Sequence, residues 1–234
     1  MAKESLGAVE KALYIMAWVY EPKSLSELAK IAGLSRGTVS MMCRVLEERG
    51  WMATIRFKGG IRPAAAIPHP CQVLMAKDLE AEYALEANKG EFLANKRLDW
   101  FLRDDEYLRN ARPEFLVNPQ TNEALEFDRY HPKASFAVEY NGLQHYRPTR
   151  DYDEAKVRAQ QARDLIKESL SARRGIILMV LVPEDLKAGA LESKVEKLVP
   201  HLKRGYVDLD GPYMKTLNRL CENYVSKTYR LNRE

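Results

Sequence analysis

The chain has 234 residues, of which 46 % are hydrophobic and 30 % charged, and its formal net charge is +4. This composition excludes a disordered chain or a fibre, and the length is enough for one large domain or two small ones. The small positive charge favours an anionic partner but decides little by itself.

The apolar residues and the cysteines indicate the cellular compartment of the protein. No run approaches the roughly 18 to 20 apolar residues that cross a bilayer, and the N-terminus lacks a basic region followed by an apolar stretch. We therefore expect a cytoplasmic protein with no membrane partner. Cys43, Cys71 and Cys221 form no CxxC pair, so they predict free thiols and no structural zinc.

Three helices are predicted near the N-terminus. Apolar residues over 4–20 approximate a helical stripe. Ser24 and Glu27 have the spacing of a capping box for a second helix, which ends at Gly33. Ser35 can cap a third helix. The segments 51–57 and 61 onward then predict two short strands that form a hairpin.

The third helix predicts two different faces. Val39, Met42 and Leu46 repeat toward a core. The stretch SLSELAKIAGLSRGTVSMMCRVLEERGW resembles the winged-helix DNA-binding domains of bacterial regulators. That resemblance implies that the third helix enters the major groove and the hairpin contacts the backbone. The implied DNA-binding residues are Arg36, Thr38, Ser40 and Arg44 on the helix, and Lys58 and Arg62 on the hairpin. The alternative is that these are solvated residues on a domain that packs against a protein.

Domain boundaries follow from proline and from helical composition. Three prolines within 62–70 indicate a linker, and residues 72–109 predict one or two helices interrupted near 88–90. We place a winged-helix domain at 1–68, a linker and connecting helix at 69–89, and a second domain at 90–234.

The second domain predicts strands at 114–119, 124–130 and 135–140. Because side chains alternate along a strand, Asp128 and Glu126 share the polar face of one strand, and Glu139 lies on the corresponding face of the next. Two neighbouring strands therefore offer carboxylates on one side, as oxygen-seeking cations such as magnesium require.

The rest of the chain predicts mostly helices. A helix is expected over 153–173, with Ala162, Leu165, Ile166 and Leu170 inward, followed by a buried strand over 175–182. Helical patterns at 191–202 and 212–229 are expected to cover the sheet.

The element order and the stretch FDRYHPKASFAVEYNGLQHY resemble the PD-(D/E)xK nuclease superfamily, in particular its very-short-patch-repair-like and homing endonuclease branch. The resemblance covers about residues 90–185. It implies an α/β (α+β overall) chain with a restriction-endonuclease-like αβββαβ domain and a helical C-terminal extension. It also implies Asp128 and Glu139 as metal ligands and Gln144 and His145 as further catalytic residues. Gly90-Glu91 matches the start of the family's first helix, so Glu91 would complete the cluster.

Two departures from the family pattern concern Asn141. The lysine expected two residues after the second acid is absent, because Asn141 stands there, and Asn141 also replaces the Asp that usually precedes the glycine. Gln144 would take over from the lysine. Lys167 on the next helix is a separate hypothesis for the positive charge, although a solvated surface pair with Asp164 is the simpler interpretation.

These patterns predict a magnesium-dependent endonuclease for double-stranded DNA, with manganese as a substitute cation. The winged helix would locate the DNA, and a metal-activated water would attack the phosphate. Cutting both strands would need a homodimer or a second binding event. The alternative is a DNA-binding transcriptional regulator whose nuclease fold is degenerate. A third possibility is an enzyme for RNA or branched DNA.

Overall fold

The computed structural model describes residues 6–20, 22–57, 60–67, 69–102, 106–146, 148, 153–199 and 208–230, with the backbone alone at 56 and 57. The helices among these residues are α1 (Ala8–Tyr20), α2 (Leu25–Ala32), α3 (Arg36–Glu48), α4 (His69–Leu85), α5 (Lys89–Phe101), α6 (Glu154–Arg173), α7 (Ala190–Leu198) and α8 (Pro212–Arg230). The strands are β1 (Met52–Phe57), β2 (Gly60–Ala65), β3 (Leu108–Ala111), β4 (Phe127–His131), β5 (Phe136–Tyr140) and β6 (Ile177–Leu181).

Two compact units contain these elements. The first unit is Met1–Asp78 with Tyr206–Met214, and the second is Leu79–Gly205 with Lys215–Glu234. Sequence reasoning instead ended the first domain at residue 68 and assigned everything from 90 onward to the second. Packing explains the difference: the buried Gln72 donates to the carbonyl of Ile67 at 2.8 Å and to Asp208 at 3.0 Å, which holds a C-terminal segment in the first unit.

The three N-terminal helices form as predicted, and their ends show why. The Ser24 hydroxyl accepts a hydrogen bond from the Glu27 amide at the start of α2. Gly33 ends this helix with a φ of 65°, a left-handed conformation that costs glycine little. Ser35 accepts a hydrogen bond from the amide of Thr38 and so caps α3.

An aliphatic core holds the first unit together. Leu13, Leu28, Val39 and Leu46 are almost fully buried, and Cys43 lies among them. Each of these side chains contributes about 1.5–3 kcal/mol by leaving water. On α1 the buried positions are Leu13 and Ala17, whereas three other apolar residues of the stripe, Val9, Ile15 and Val19, are exposed.

Strands β1 and β2 form the expected antiparallel hairpin, with Met52 paired to Ala65 and Phe57 to Gly60. The predicted linker over 62–70 is wrong for its first half, because residues 62–65 belong to β2. Pro63 is accommodated at the edge of this two-stranded sheet, where the amide that proline lacks is not needed. The last residues of the predicted linker, His69 and Pro70, begin α4, because the first turn of a helix tolerates proline.

The second unit contains a four-stranded sheet in the order β3-β4-β5-β6. The β3–β4 and β4–β5 pairs are antiparallel, and β5–β6 is parallel with Glu139 beside Val180. Since α5 precedes β3 and α6 connects β5 to β6, the element order is the predicted helix, three strands, helix and strand.

The first strand of this sheet was predicted in the wrong place. Residues 114–119 form no ladder and make a single bridge between Val117 and Ala124, and the strand that pairs with β4 is Leu108–Ala111. The β3 residues Leu108, Arg109 and Asn110 are exposed. These three residues therefore form no buried apolar face, and the sequence lacks the alternating apolar pattern that would have predicted the strand. Strand β4 also begins at Phe127, three residues later than expected.

Helix α6 packs on this sheet. Asp153 caps it by accepting from the Lys156 amide. Ile166 and Leu170 pack against a core that contains Phe127 and Ala137. The expectation that Leu165 also points inward is wrong, because 66 % of this residue is exposed.

Among the described residues, no helix is long and apolar enough to cross a membrane.

Candidate functional site

Helix α3 presents a basic face to solvent. Arg36 and Arg44 are exposed, while Val39 and Leu46 on the opposite face are fully buried. Both guanidinium groups therefore lie where a phosphate or a base edge could reach them.

The other four predicted DNA contacts differ in availability. The Thr38 hydroxyl lies 2.8 Å from that of Ser35, so it takes part in the helix cap, and Ser40 is half-buried. Arg62 is half-buried on β2 opposite Ile55. Lys58 lies outside the described residues.

Asp128 and Glu139 lie on the same face of the sheet. Arg129 pairs with Val138 across β4 and β5, and continuing this antiparallel register by one residue places Asp128 opposite Glu139. Their charges also interact, because Asp128 is one of the groups that raise the pKa of Glu139. The two carboxylates are therefore neighbours on adjacent strands.

A backbone hydrogen bond fixes the Asp128 carboxylate. Its Oδ2 accepts from the amide of Tyr140 at 2.7 Å. The Asp128 side chain thus binds the backbone amide of the residue that follows Glu139, at the end of β5. Burial raises the pKa of Asp128, and this amide and Lys167 oppose the rise.

Lys167 of α6 reaches the second carboxylate. Its Nζ donates to Glu139 Oε2 at 2.6 Å, and only 12 % and 6 % of the two side chains are exposed. The simpler interpretation of Lys167 as a surface residue is therefore wrong. Burial and Asp128 raise the pKa of Glu139 to about 8, although the ammonium opposes them.

Asp164, one turn before Lys167, organises a second group of polar side chains. Its Oδ2 lies 2.9 Å from His145 Nδ1, and its Oδ1 accepts from Gln160 at 3.0 Å. Asn141 donates to Oδ2 at 3.4 Å. His145 is therefore held by one ring nitrogen, which leaves Nε2 for another partner.

Glu91 lies on the first turn of α5 and interacts with Asp128. Burial and the charge of Asp128 raise the pKa of Glu91 to about 7. Glu126, which shares the predicted face of Asp128, accepts from Arg112 at 2.8 Å in an ion pair on a partly exposed part of the surface. The structure therefore places Glu91 near Asp128, and Glu126, although it is paired with Arg112, also raises the pKa of both carboxyls.

A cavity of about 670 Å³ opens beside Asp128 and Glu91. Gln144 lies in its wall, where it is held close to Gly142: a Cβ at Gly142 would lie 2.4 Å from the Gln144 side chain. A side chain on Gly142 would therefore displace Gln144.

The donor set fits a divalent cation in part. Glu139 Oε1 and Asn141 Oδ1 are buried acceptors with no hydrogen-bond partner in the described part of the chain. A hard cation prefers such oxygens, and its charge would also oppose the burial and the neighbouring negative charges that raise the carboxyl pKa values. However, no group of three or more His, Cys, Asp and Glu side chains among the described residues is arranged to hold a metal ion. Asp128 and Glu139 could therefore supply only two of the ligands of a cation, and other oxygens would have to complete its shell.

The sequence analysis did not predict that the polar face of α6 points toward the candidate site. Gln160, Asp164, Lys167 and Ser171 are spaced by four, three and four residues, so they share one stripe of the helix. The stripe lies next to Ile166 and Leu170, which pack on the sheet. A polar stripe this close to an apolar one was the available signal that these side chains point inward.

Comparison with known proteins identifies the helices at the N-terminus of the first unit. The model of the IclR helix-turn-helix domain matches residues 8–54, which contain α1 to α3 and the start of β1. The N-terminus of the chain is therefore an IclR-type helix-turn-helix DNA-binding domain.

Relatives of the chain come from viruses of invertebrates. "Uncharacterized protein 033L" of Invertebrate iridescent virus 3 is 40 % identical over 79 residues, which are 33 % of this chain and 40 % of the relative. "Uncharacterized protein 307L" of Invertebrate iridescent virus 6 is 39 % identical over 89 residues, or 35 % of this chain and 45 % of the relative. The chain thus matches less than half the length of these relatives. No solved structure matches it.

Proposed function

We propose that the chain is a DNA endonuclease in which the helix-turn-helix domain binds double-stranded DNA and the second unit hydrolyses phosphodiester bonds with a divalent cation. One observation carries the proposal: Asp128 and Glu139 meet on one face of adjacent strands, and Lys167 contacts Glu139 at 2.6 Å. Two carboxylates that can hold a cation, with an ammonium beside them, could stabilise the charge that develops on a phosphate during hydrolysis.

Each side chain has a role that follows from its contacts. Asp128 and Glu139 would hold magnesium or manganese, which stabilises charge on a phosphate and makes a bound water more acidic. Lys167 would offer positive charge to the phosphate and thus replace the lysine that is absent from β5. His145, held by Asp164, would present Nε2 to a phosphate or a water, and Gln144 would orient the same groups.

A regulator without catalysis is the second candidate, and the comparisons favour it more directly. The matched model describes a DNA-binding domain, which is the part that a DNA-binding transcriptional regulator requires, and it includes no catalytic domain. In that case the Lys167–Glu139 pair would serve the stability of a platform for binding or dimerisation. The two candidates differ in whether DNA is cut.

The deciding experiment incubates the full chain with supercoiled plasmid in magnesium, manganese or EDTA. We expect cleavage with either cation and none in EDTA, and a loss of about 100-fold or more in Asp128→Asn and Glu139→Gln. Nicked and linear products distinguish cutting of one strand from cutting of both, and light scattering tests whether the latter needs a homodimer.

The control variant is Glu168→Gln, which removes an exposed carboxylate from α6 next to Lys167. It should cut like the wild-type protein. DNA binding without cleavage under any of these conditions would reject the endonuclease and leave the regulator.

A further inference from the structure

The cavity beside Asp128 has walls from four parts of the second unit. They are the start of α5 with the preceding residues, Asp128 of β4, the end of β5 with the residues after it, and the later half of α8. Its volume of about 670 Å³ falls in the roughly 300–1,000 Å³ range of cavities that enclose small ligands. It is therefore large enough for a nucleotide but too small for a duplex.

One wall of the cavity is aromatic. The hydroxyl groups of Tyr140 and Tyr224 lie 3.2 Å apart, and their ring centroids are separated by 6.5 Å. Gly90 makes room for this arrangement, since a Cβ there would lie 2.2 Å from the Tyr140 ring. Tyr224 is half-buried and lines the cavity, so its ring is the candidate surface for stacking. Stacking on such a ring holds nucleobases of any sequence.

A second wall supplies polar groups. Asn223 and Lys227 are exposed, line the cavity and lie four residues apart on one face of α8. Among the described residues, no ion pair engages Lys227. An amide can pair with a base edge, and an ammonium can bind a phosphate. Lys89, in contrast, donates hydrogen bonds to the carbonyls of Tyr83 and Glu86, each at 2.9 Å.

We propose that this cavity binds one unpaired nucleotide of the DNA, with its base against Tyr224 and its phosphate at Lys227, next to the bond that is cut. The placement next to the cut rests on the proposed endonuclease function. A base inside a duplex is stacked and paired, so only a nucleotide that has left the helix can enter a concave site of this kind. The protein would therefore prefer DNA with a bulge to fully paired DNA.

The test measures binding in EDTA, so it requires no cleavage. The full chain is titrated with two duplexes that carry the fluorescent base 2-aminopurine, either in a one-nucleotide bulge or at a paired position. We expect about 5-fold or more tighter binding of the bulged duplex, and a change of 2-aminopurine emission there alone. Repeating both titrations in Arg36→Ala/Arg44→Ala reduces the contribution of the helix-turn-helix domain, which binds both probes.

Variants of α8 locate the effect. Tyr224→Ala and Asn223→Ala should lose the preference for the bulge, and Tyr224→Phe should keep it because the ring remains. Tyr229→Ala and Lys215→Ala, on the same helix but outside the cavity, are matched controls. Lys227→Ala should weaken binding of the bulged probe more than Lys215→Ala does. Because Asn223 is exposed, its variant folds even if Tyr224→Ala does not.

Equal affinity for the two probes, or a bulge preference that survives in both Tyr224→Ala and Asn223→Ala, would overturn this proposal. These outcomes are independent of catalysis. If the protein prefers the bulge but cuts no DNA, the proposed nucleotide site stands and the proposed endonuclease function is rejected. If it cuts DNA without preferring the bulge, the endonuclease function stands and the nucleotide site is rejected.

Discussion

The two units of this chain treat polar groups in opposite ways. Among the described residues of the first unit, Gln72 is the buried polar residue and no charged residue is buried, while Arg36 and Arg44 are open to solvent. The second unit buries Arg97, Arg129 and Glu139 together with several neutral polar side chains.

This difference in the burial of charge indicates that the two units have different functions. Exposed arginines cost nothing in desolvation and are available to a polyanion, which suits binding. A buried carboxylate costs several kcal/mol unless a partner compensates it, and replacing a buried ion pair by apolar side chains is often neutral or stabilising. Of these buried charges, Glu139 pairs with Lys167 in the candidate site, whereas Arg97 pairs with Glu192 and Arg129 with Asp99, which are not residues of that site.

The largest expected effect is that of Lys167→Met. It would leave the Glu139 carboxylate buried without its ammonium partner, so we expect a loss of about 3–5 kcal/mol in the free energy of unfolding at pH 9. The loss should shrink at pH 6, because the pKa of Glu139 is about 8 and the neutral acid needs no cation. Denaturant unfolding measures both values.

The double variant Glu139→Leu/Lys167→Met is the control for this pair, and it should recover most of the stability. If Lys167→Met were as stable as the wild-type protein at pH 9, the buried ion pair would not exist in solution.

Arg36→Ala/Arg44→Ala tests the first unit. We expect DNA affinity to fall by about 10-fold, and the slope of log affinity against log salt to decrease by about 2 as two phosphate contacts are lost. Arg158→Ala/Arg173→Ala removes two exposed arginines from α6 and serves as the control. An equal loss in both variants, measured by fluorescence anisotropy, would contradict α3 as the main DNA contact.

A smaller effect is expected from the cap of α3. Ser35→Ala removes the acceptor of the Thr38 amide and should cost about 1 kcal/mol of stability. Ser26→Ala, at an exposed position of α2, should change stability little. If both variants unfold at the same denaturant concentration as the wild-type protein, the cap contributes nothing.

The smallest effect concerns pH and Glu91. Its pKa in the folded chain is about 7, above the ordinary value of 4.5, so between these two pH values the folded state binds more protons than the unfolded state. The contribution of Glu91 to stability in EDTA should therefore be complete below pH 4.5 and be lost as the pH rises through 7. Glu91→Gln should make the fall shallower in thermal unfolding between pH 5 and 8, and Glu168→Gln should not. A steeper or unchanged fall in Glu91→Gln would place this carboxylate in an ordinary aqueous environment.

The N-terminal helices were predictable because their signals are local. Ser24, Gly33 and Ser35 act on backbone groups within four residues, so the caps could be located without the fold. Strand β3 was missed because Leu108 to Asn110 are exposed and carry no apolar alternation. Its pairing with β4 exists only once the chain between them has folded back, and that is a non-local event.

The sequence by itself determined the positions of Asp128 and Glu139 on like faces, because alternation along a strand is a property of the backbone. Only the tertiary structure decided that Lys167 meets Glu139 and that Asp164 meets His145, since α6 had to dock on the sheet before either contact could form. Residues that are separated by 28 and 19 positions come together through packing, and the polar stripe of α6 indicates which side chains point inward but not which partners they meet.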